Sequence, residues 1–266
     1  MAHSDSNNLT NKLTVSDKLV GYAKHLLMQR GAAKPVAETS QTTAPDSLSE
    51  AITVQQIMAE MHQHPVVGWK CLTPRDDGSL IVAPLLGESV VEQTICPIAP
   101  VNNQALIEPE IAFVLTEDLP SGKVYSEAEI DKAVGETRMA LELIQPRFTK
   151  DYPANHFERL ADGLSNQGLY LGPEIEKSLA YSASNIALSL QQGEQQQNVV
   201  GEHPCGLPQN PLYWLVNHLS ERGISLQAGQ AIITGSYYGV VKMALDVPLK
   251  LEYGGLGRFD VTFIAR

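Results

Sequence analysis

Two glutamates flank a proline at the head of an apolar run, in the segment IEPEIAFVLTEDL (107–119). Glu108 and Glu110 are two residues apart, so on an extended backbone their side chains project from the same face. Pro109 donates no backbone hydrogen bond, which favours a sheet edge or the start of a strand. Two carboxylates at the mouth of a buried strand repel each other unless positive charge lies between them. A hard divalent cation that prefers oxygen ligands, such as Mg²⁺ or Mn²⁺, meets that requirement.

A third carboxylate, Glu142, lies in a similar setting. It sits between Leu141 and Leu143 in a stretch (139–144) that alternates enough to predict a strand, which Pro146 ends. A glutamate inside such a segment is unfavourable unless it is paired, metal-bound or protonated. The alternative reading is simpler: an acidic chain often carries a Glu-x-Glu pair on a solvated strand face, and Glu142 alone fits a half-exposed strand residue.

Composition and charge exclude several classes of function. The chain has 266 residues, of which 43% are hydrophobic, enough for one large globular domain or one domain with a smaller extension. A net charge of −11 argues against nucleic acid as a partner and requires local positive charge wherever an anionic substrate binds. The sequence has no apolar run of membrane-spanning length, and a polar N-terminus predicts a cytoplasmic protein. Three widely spaced cysteines predict reduced thiols.

The pattern along the chain predicts an α+β fold with a helical N-terminal part (1–64) and a strand-rich core (65–266). Amphipathic helices are predicted over 15–29 and 52–62, with a Ser/Thr/Pro-rich loop between them. Later helices are predicted from Ser126, which has capping-box spacing to Glu129, and over 211–222. A hairpin is predicted to turn at Gly193–Glu194. Strands are predicted over 66–72, 80–86, 110–116, 168–171, 186–191, 231–234, 240–251 and 260–264.

Several segments together resemble one enzyme family. They are VVGWKCLT (66–73), IEPEIAFVLTEDL (107–119), ALELIQPRF (140–148), RLADGLSNQGLYLGP (159–173), LYWLVNHLSERGISLQAGQAIITGS (212–236) and YGGLGRFDVTFI (253–264). The chain resembles the family of 2-keto-4-pentenoate hydratase, 2-oxo-hept-3-ene-1,7-dioate hydratase and 4-oxalocrotonate decarboxylase, within the fumarylacetoacetase-like superfamily. Because the likeness follows the same order over nearly the whole chain, it is far more specific than any single motif.

The resemblance implies a strand-rich, mixed β-barrel and sheet core and a divalent metal, Mg²⁺ or Mn²⁺. It places the metal on Glu108, Glu110 and Glu142. It implies that Lys70 and Asp162 are catalytic and that Leu72, Thr234 and Ser236 bind substrate.

Each of these secondary assignments has an ordinary structural alternative. Lys70 fits a strand residue whose ammonium reaches solvent, and Asp162 fits a turn cap beside Ser165. The segment Thr234–Ser236 fits a strand-end turn.

The chain departs from the family pattern in the residues that handle protons. An acidic Asp-Tyr/Phe-Gly segment is usual after the lysine strand, but here Val82, Ala83 and Pro84 stand where that aspartate falls. Glu88 and Asp77 are the candidate replacements. The metal ligands are intact, so metal binding is the firmer expectation and hydration the weaker one.

Three functions follow as hypotheses. The first is a lyase that hydrates a 2-hydroxy-2,4-dienoate to a 4-hydroxy-2-oxo acid, because such acids chelate a metal through the C1 carboxylate and C2 oxygen. The second is a related 2-oxo acid decarboxylase or acylpyruvate hydrolase. The third is a non-catalytic metal-binding paralogue. The resemblance also implies a homo-oligomer, with a pathway enzyme as a possible partner.

Overall fold

The computed structural model describes residues 15–30, 44–63, 65–87 and 89–266. The helices in these ranges are α1 (Val15–Gln29), α2 (Leu48–Met61), α3 (Glu127–Ala133), α4 (His156–Ala161), α5 (Lys177–Tyr181) and α6 (Asn210–Glu221). The strands are β1 (Val66–Cys71), β2 (Val82–Leu86), β3 (Ser89–Val91), β4 (Ile95–Ile98), β5 (Gln104–Leu115), β6 (Val134–Ile144), β7 (Asn166–Ile175), β8 (Asn185–Gln192), β9 (Gln195–Glu202), β10 (Ala231–Ile233), β11 (Val241–Ala244), β12 (Pro248–Tyr253) and β13 (Gly257–Ala265).

The two N-terminal helices form where apolar periodicity predicts them. α1 has the predicted bounds, and it buries Leu19, Tyr22, Ala23 and Leu26 on one face. α2 begins four residues earlier than predicted, because the Ser47 side chain accepts a hydrogen bond from the backbone of Glu50 and so caps its first turn. The loop predicted between the helices falls largely outside the described residues.

These helices share the main hydrophobic core with the strands. Val54 and Met58 of α2 belong to the same buried cluster as Val82 and Leu160. The buried Gln55 amide donates to the carbonyls of Val82 and Leu160, at 2.9 and 2.6 Å. The division of the chain at residue 64, a position outside the described residues, therefore stays a proposal.

The first sheet has the order β2-β1-β10-β5-β6-β7-β3, and β11 also pairs with β5. Its central strand, β5, is antiparallel to β6 over residues 106–115 on one side. On the other side β11 pairs with residues 104–107 and β10 with residues 112–114. The middle of that edge, residues 108–111, therefore faces the connection between β10 and β11.

The second sheet has the order β4-β13-β12-β8-β9. The predicted hairpin is confirmed: β8 and β9 pair antiparallel, and Gly193 in the turn has φ +60°. The single strand predicted over 240–251 is wrong. β11 pairs with β5 in the first sheet and β12 with β8 in the second, so the chain turns between them, with Asp246 at φ +61°.

The α+β class is confirmed, and within the described ranges neither sheet closes into a barrel. The capping box at Ser126 and the helix near 211–222 are both present. Four short elements were not predicted: β3, β4, α4 and α5 have too few residues to display a period. None of the described helices combines the length and the apolarity that crossing a bilayer requires.

The glycine of the Gly-x-Lys strand offers a test of this arrangement. A Cβ on Gly68 would lie 1.8 Å from the carbonyl oxygen of Ala231, its partner in the parallel β1–β10 pair. We expect Gly68→Ala to lower the free energy of unfolding by about 3 kcal/mol or more, because the backbones must separate. Chemical denaturation measures the change.

The matched control is Gly21→Ala in α1, where an added Cβ meets nothing within 4 Å. That change should stabilise the protein by roughly 0.5–1 kcal/mol, since alanine is the better helix former. Equal effects at the two positions would contradict the close packing of β1 on β10.

Candidate metal centre

Three glutamate side chains converge on one face of the first sheet. Glu108 of β5 is the register partner of Glu142 of β6, and Glu110 follows two residues along β5. Cross-strand partners and i, i+2 neighbours project from the same face of a sheet. One carboxylate oxygen from each residue lies within 4.8 Å of those of the other two. Such a group of hard oxygen donors suits a divalent cation.

Pro109 lies in the middle of a twelve-residue strand, not at the sheet edge or strand start that its chemistry predicts. Its missing N–H is tolerated because this part of β5 falls between the stretches that pair with β10 and β11. The β10–β11 connection covers the gap: Tyr237 donates its backbone N–H to the Pro109 carbonyl at 3.1 Å. The gap thus places Gly235 and Ser236 beside the glutamates.

Glu142 is held in one orientation by two donors. Lys70 Nζ lies 2.6 Å and Asn166 Nδ2 lies 3.0 Å from the same oxygen, Oε1. The side chain of Glu142 is fully buried, and its other oxygen, Oε2, has no hydrogen-bond partner among the described residues. An orphaned carboxylate oxygen costs desolvation energy. A cation coordinated by Oε2 would satisfy it, so the donor set fits a metal.

Glu110 is also fixed from the backbone. The N–H of Gly235 donates to Glu110 Oε2 at 2.7 Å. Gly235 has φ +130°, and a Cβ at this position would lie 2.7 Å from both Leu72 Cδ2 and Pro204 Cγ. Only glycine meets both conditions.

Burial and mutual repulsion raise the pKa values of the clustered glutamates, and Lys70 offsets only part of this effect. Burial, followed by the charge of Glu142, raises the pKa of Glu108 to about 7, although Lys70 opposes the shift. Burial and the charges of Glu142 and Glu108 raise the pKa of Glu110 well above its ordinary value. Burial alone would lower the pKa of Lys70, but the three glutamates outweigh it and raise that pKa. One lysine does not neutralise three carboxylates, and a divalent cation would.

The cluster forms the floor of a cavity of about 340 Å³. Its lining residues are Lys70, Cys71, Leu72, Ile81, Glu108, Glu110, Glu142, Leu164, Pro204, Ile233, Gly235, Ser236 and Gly239. Among the predicted site residues, Lys70, Leu72 and Ser236 therefore lie beside the glutamates. Thr234 does not line the cavity: it is fully buried, and its hydroxyl lies 3.4 Å from the His203 ring nitrogen.

Asp162 has a different environment from the one expected of a catalytic residue. It is not among the cavity-lining residues, and both of its carboxylate oxygens contact the buried Arg147 guanidinium. It also accepts the backbone N–H of Ser165 at 3.2 Å. This ion pair stabilises a tight turn in which Leu164 and Ser165 have positive φ. The turn positions Asn166 so that its side chain contacts Glu142.

Asn166, which is buried and donates to Glu142, is a site residue that the sequence did not single out. The available signal was an asparagine in the segment RLADGLSNQGLYLGP, directly before an apolar strand. Of the proposed replacements for the family aspartate, Asp77 is exposed and accepts from Ser79 in its own turn, and Glu88 lies outside the described residues.

Sequence comparison identifies relatives of this chain. No profile of a known protein family matches it. It is 28% identical over 162 residues to 2-keto-4-pentenoate hydratase of Burkholderia vietnamiensis (strain G4 / LMG 22486), which is 60% of this chain and 61% of that protein. It is 26% identical over 258 residues to the enzyme of the same name from Paraburkholderia xenovorans (strain LB400). This match covers 91% of this chain and 93% of that protein. Over most of its length this chain is thus similar to 2-keto-4-pentenoate hydratases.

Another relative is 2-oxo-hept-4-ene-1,7-dioate hydratase of Escherichia coli, 29% identical over 59% of this chain and 61% of that protein. The match thus spans about three fifths of the length of several of these hydratases. Solved structures share the fold. The 4-oxalocrotonate decarboxylase of Pseudomonas putida G7, complexed with magnesium and adipate, superposes with a TM-score of 0.76 at 19% identity, covering 96% of this chain and 100% of that one.

Removing the second donor to Glu142 tests the geometry of the centre. We expect Asn166→Ala to weaken Mg²⁺ or Mn²⁺ binding by about 10-fold or more, because the carboxylate then has only Lys70 to orient it. Isothermal titration calorimetry measures the affinity. The control is Asn198→Ala on the exposed face of β9, which should leave affinity unchanged. Equal affinities for the two variants would contradict the role of Asn166.

A thermal experiment tests the repulsion. Mg²⁺ at a free concentration of 100 times its Kd should raise the free energy of unfolding of the wild-type protein by about 2.7 kcal/mol. Glu110→Gln should abolish that gain without destabilising the metal-free protein, since a neutral amide still accepts from Gly235 and removes one buried charge. Melting temperatures with and without Mg²⁺ report both effects. Glu194→Gln in the exposed hairpin turn is the control and should keep the gain. A full metal-induced shift in Glu110→Gln would contradict the assignment.

Proposed function

We propose that this protein is a divalent-metal-dependent lyase that adds water to a 2-hydroxy-2,4-dienoate and yields a 4-hydroxy-2-oxo acid. The observation that carries the proposal is the convergence of Glu108, Glu110 and Glu142 at the floor of a cavity that also exposes Lys70. The kinship with hydratases of this type over most of the chain supports the reaction class.

Glu108, Glu110 and the free Oε2 of Glu142 would hold the cation, for which Mg²⁺ and Mn²⁺ are the candidates. A related fold, the decarboxylase of Pseudomonas putida G7, was solved with magnesium, which supports that choice. When bound, the cation supplies a Lewis acid that polarises the C2 oxygen of a chelated 2-oxo or 2-hydroxy acid.

Lys70 is the group that we assign to proton transfer. Its ammonium lines the cavity and is the only lysine or arginine among the described lining residues. The glutamates raise its pKa and keep it charged, so it also attracts the substrate carboxylate. It thereby supplies the local positive charge that a protein of net negative charge needs to bind an anionic substrate. Leu72 and Ser236 contact the substrate in this proposal, whereas Asp162 positions Asn166 through the turn anchored on Arg147.

Three further expectations stay proposals: a homo-oligomeric assembly, a cytoplasmic location, and a pathway enzyme as partner. The assembly and the partner rest on the family resemblance, and the location rests on the reduced thiols that three widely spaced cysteines predict. Light scattering on the purified protein would measure the assembly.

An ultraviolet assay tests the proposed reaction. Metal-loaded protein should remove the absorbance of 2-hydroxypenta-2,4-dienoate, because hydration breaks the conjugation, and chelation of the metal should stop the reaction. Lys70→Met should lower kcat by about 10²–10⁴-fold, the usual contribution of a positioned acid or base. Lys250→Met on the exposed face of β12 is the control and should keep full activity.

Product analysis separates the hydratase from its alternatives. Release of CO₂ or pyruvate in place of a hydrated acid would identify a decarboxylase or an acylpyruvate hydrolase. No turnover of any dienoate or acylpyruvate, with metal bound at the three glutamates, would leave the non-catalytic paralogue.

A further inference from the structure

We propose that the cavity above the three glutamates selects acids with a single carboxylate and a hydrocarbon tail, and rejects acids with a second carboxylate at the far end. The inference rests on the proposed function for the orientation of the substrate, with its C1 carboxylate at the glutamate end. Leu72, Ile81 and Leu164 are the specificity-determining residues.

The first step is the distribution of charge. Lys70 is the sole cation among the described lining residues, and it lies at the glutamate end, 2.6 Å from Glu142. Arg147, which follows β6, is not part of the lining and is paired with Asp162. A carboxylate at the far end would therefore meet no cation from the described lining and would experience the field of three glutamates.

The second step is the chemistry of the apolar part of the cavity wall. Leu72, Ile81, Leu164 and Pro204 are apolar lining residues, and the first three are half-buried, as expected for side chains that face a cavity. Leu72 donates its backbone N–H to the Ile81 carbonyl at 3.0 Å, so these two residues are neighbours where β1 ends and β2 begins. They form a continuous hydrocarbon surface.

The third step places that surface next to the metal ligands. Gly235, whose N–H contacts Glu110, is packed so closely that an added Cβ would lie 2.7 Å from atoms of Leu72 and Pro204. The apolar wall therefore begins beside Glu110. A substrate anchored by C1 and C2 directs C4 and the atoms beyond it along this wall.

A carboxylate placed on such a wall loses its hydration without gaining a partner, and this desolvation weakens its binding. We expect at least about 100-fold weaker binding for the acid with the second carboxylate.

Binding of two matched acids to the Mg²⁺-loaded protein tests the inference. The probes are 2-oxohexanoate and 2-oxohexanedioate, which differ only in the terminal group, and calorimetry measures both affinities. The monoacid should bind at least about 100-fold more tightly. Equal or tighter binding of the diacid, or no binding of either probe, would overturn the proposal.

Charge introduction identifies the residues responsible. Ile81→Arg should reduce the preference for the monoacid at least 10-fold by pairing with the second carboxylate. Leu164→Arg is the second variant in case the first does not fold, which its melting curve will show. Val200→Arg, on an exposed β9 side chain that does not line the cavity, is the control and should keep the wild-type preference. An unchanged preference in a folded cavity variant would remove the assignment of that residue.

These outcomes are separate from those of the hydratase assay. If the protein prefers the monoacid but does not turn over the dienoate, the proposed reaction is wrong and the proposed selectivity still holds. If the protein turns over a 2-hydroxy-2,4-dienedioate as fast as the monoacid, the proposed selectivity is wrong and the proposed reaction still holds.

Discussion

Mutual repulsion among three buried carboxylates is the constraint on which this structure depends. Glu110 and Glu142 are almost completely buried, and Glu108 lies beside them, so their charges are poorly screened. The protein relieves part of the repulsion with Lys70 and with the amide of Asn166, and both act on one oxygen of Glu142. The remaining oxygen of Glu142 has no donor within the part of the chain that the structure describes. This arrangement is unfavourable in isolation and favourable when a cation occupies the centre, which couples metal binding to stability.

The topology of the first sheet creates the space for that centre. β10 and β11 share one edge of β5 and leave residues 108–111 between them. A continuous neighbouring strand would pair with this stretch and would be blocked by Pro109, which has no N–H to donate. The connection from β10 to β11 fills the gap instead, and it supplies the Gly235 N–H to Glu110. The interruption in strand pairing along this edge therefore both accommodates Pro109 and makes room for the segment that contacts Glu110.

The turn from Asp162 to Asn166 shows that a motif can be located in the sequence while the contacts of its residues cannot. The segment RLADGLSNQGLYLGP marks an important place in the chain, and Asp162 was its obvious candidate. In the folded protein the Asp162 carboxylate pairs with Arg147, and Asn166 is the residue of this turn that contacts Glu142. Arg147 lies fifteen residues before Asp162, so their pairing depends on the packing of β6 against the turn.

The sequence by itself determined the α+β class, both N-terminal helices, the hairpin at Gly193 and the identity of the three converging glutamates. These features depend on local periodicity, or on carboxylates that cannot be buried without compensation. Only the tertiary structure decided that Pro109 lies in mid-strand, that β11 and β12 belong to different sheets, and that Asn166, not Asp162, orients Glu142. Each of these depends on which distant segment becomes a neighbour, and strand pairing between distant segments leaves no periodic signal in the chain.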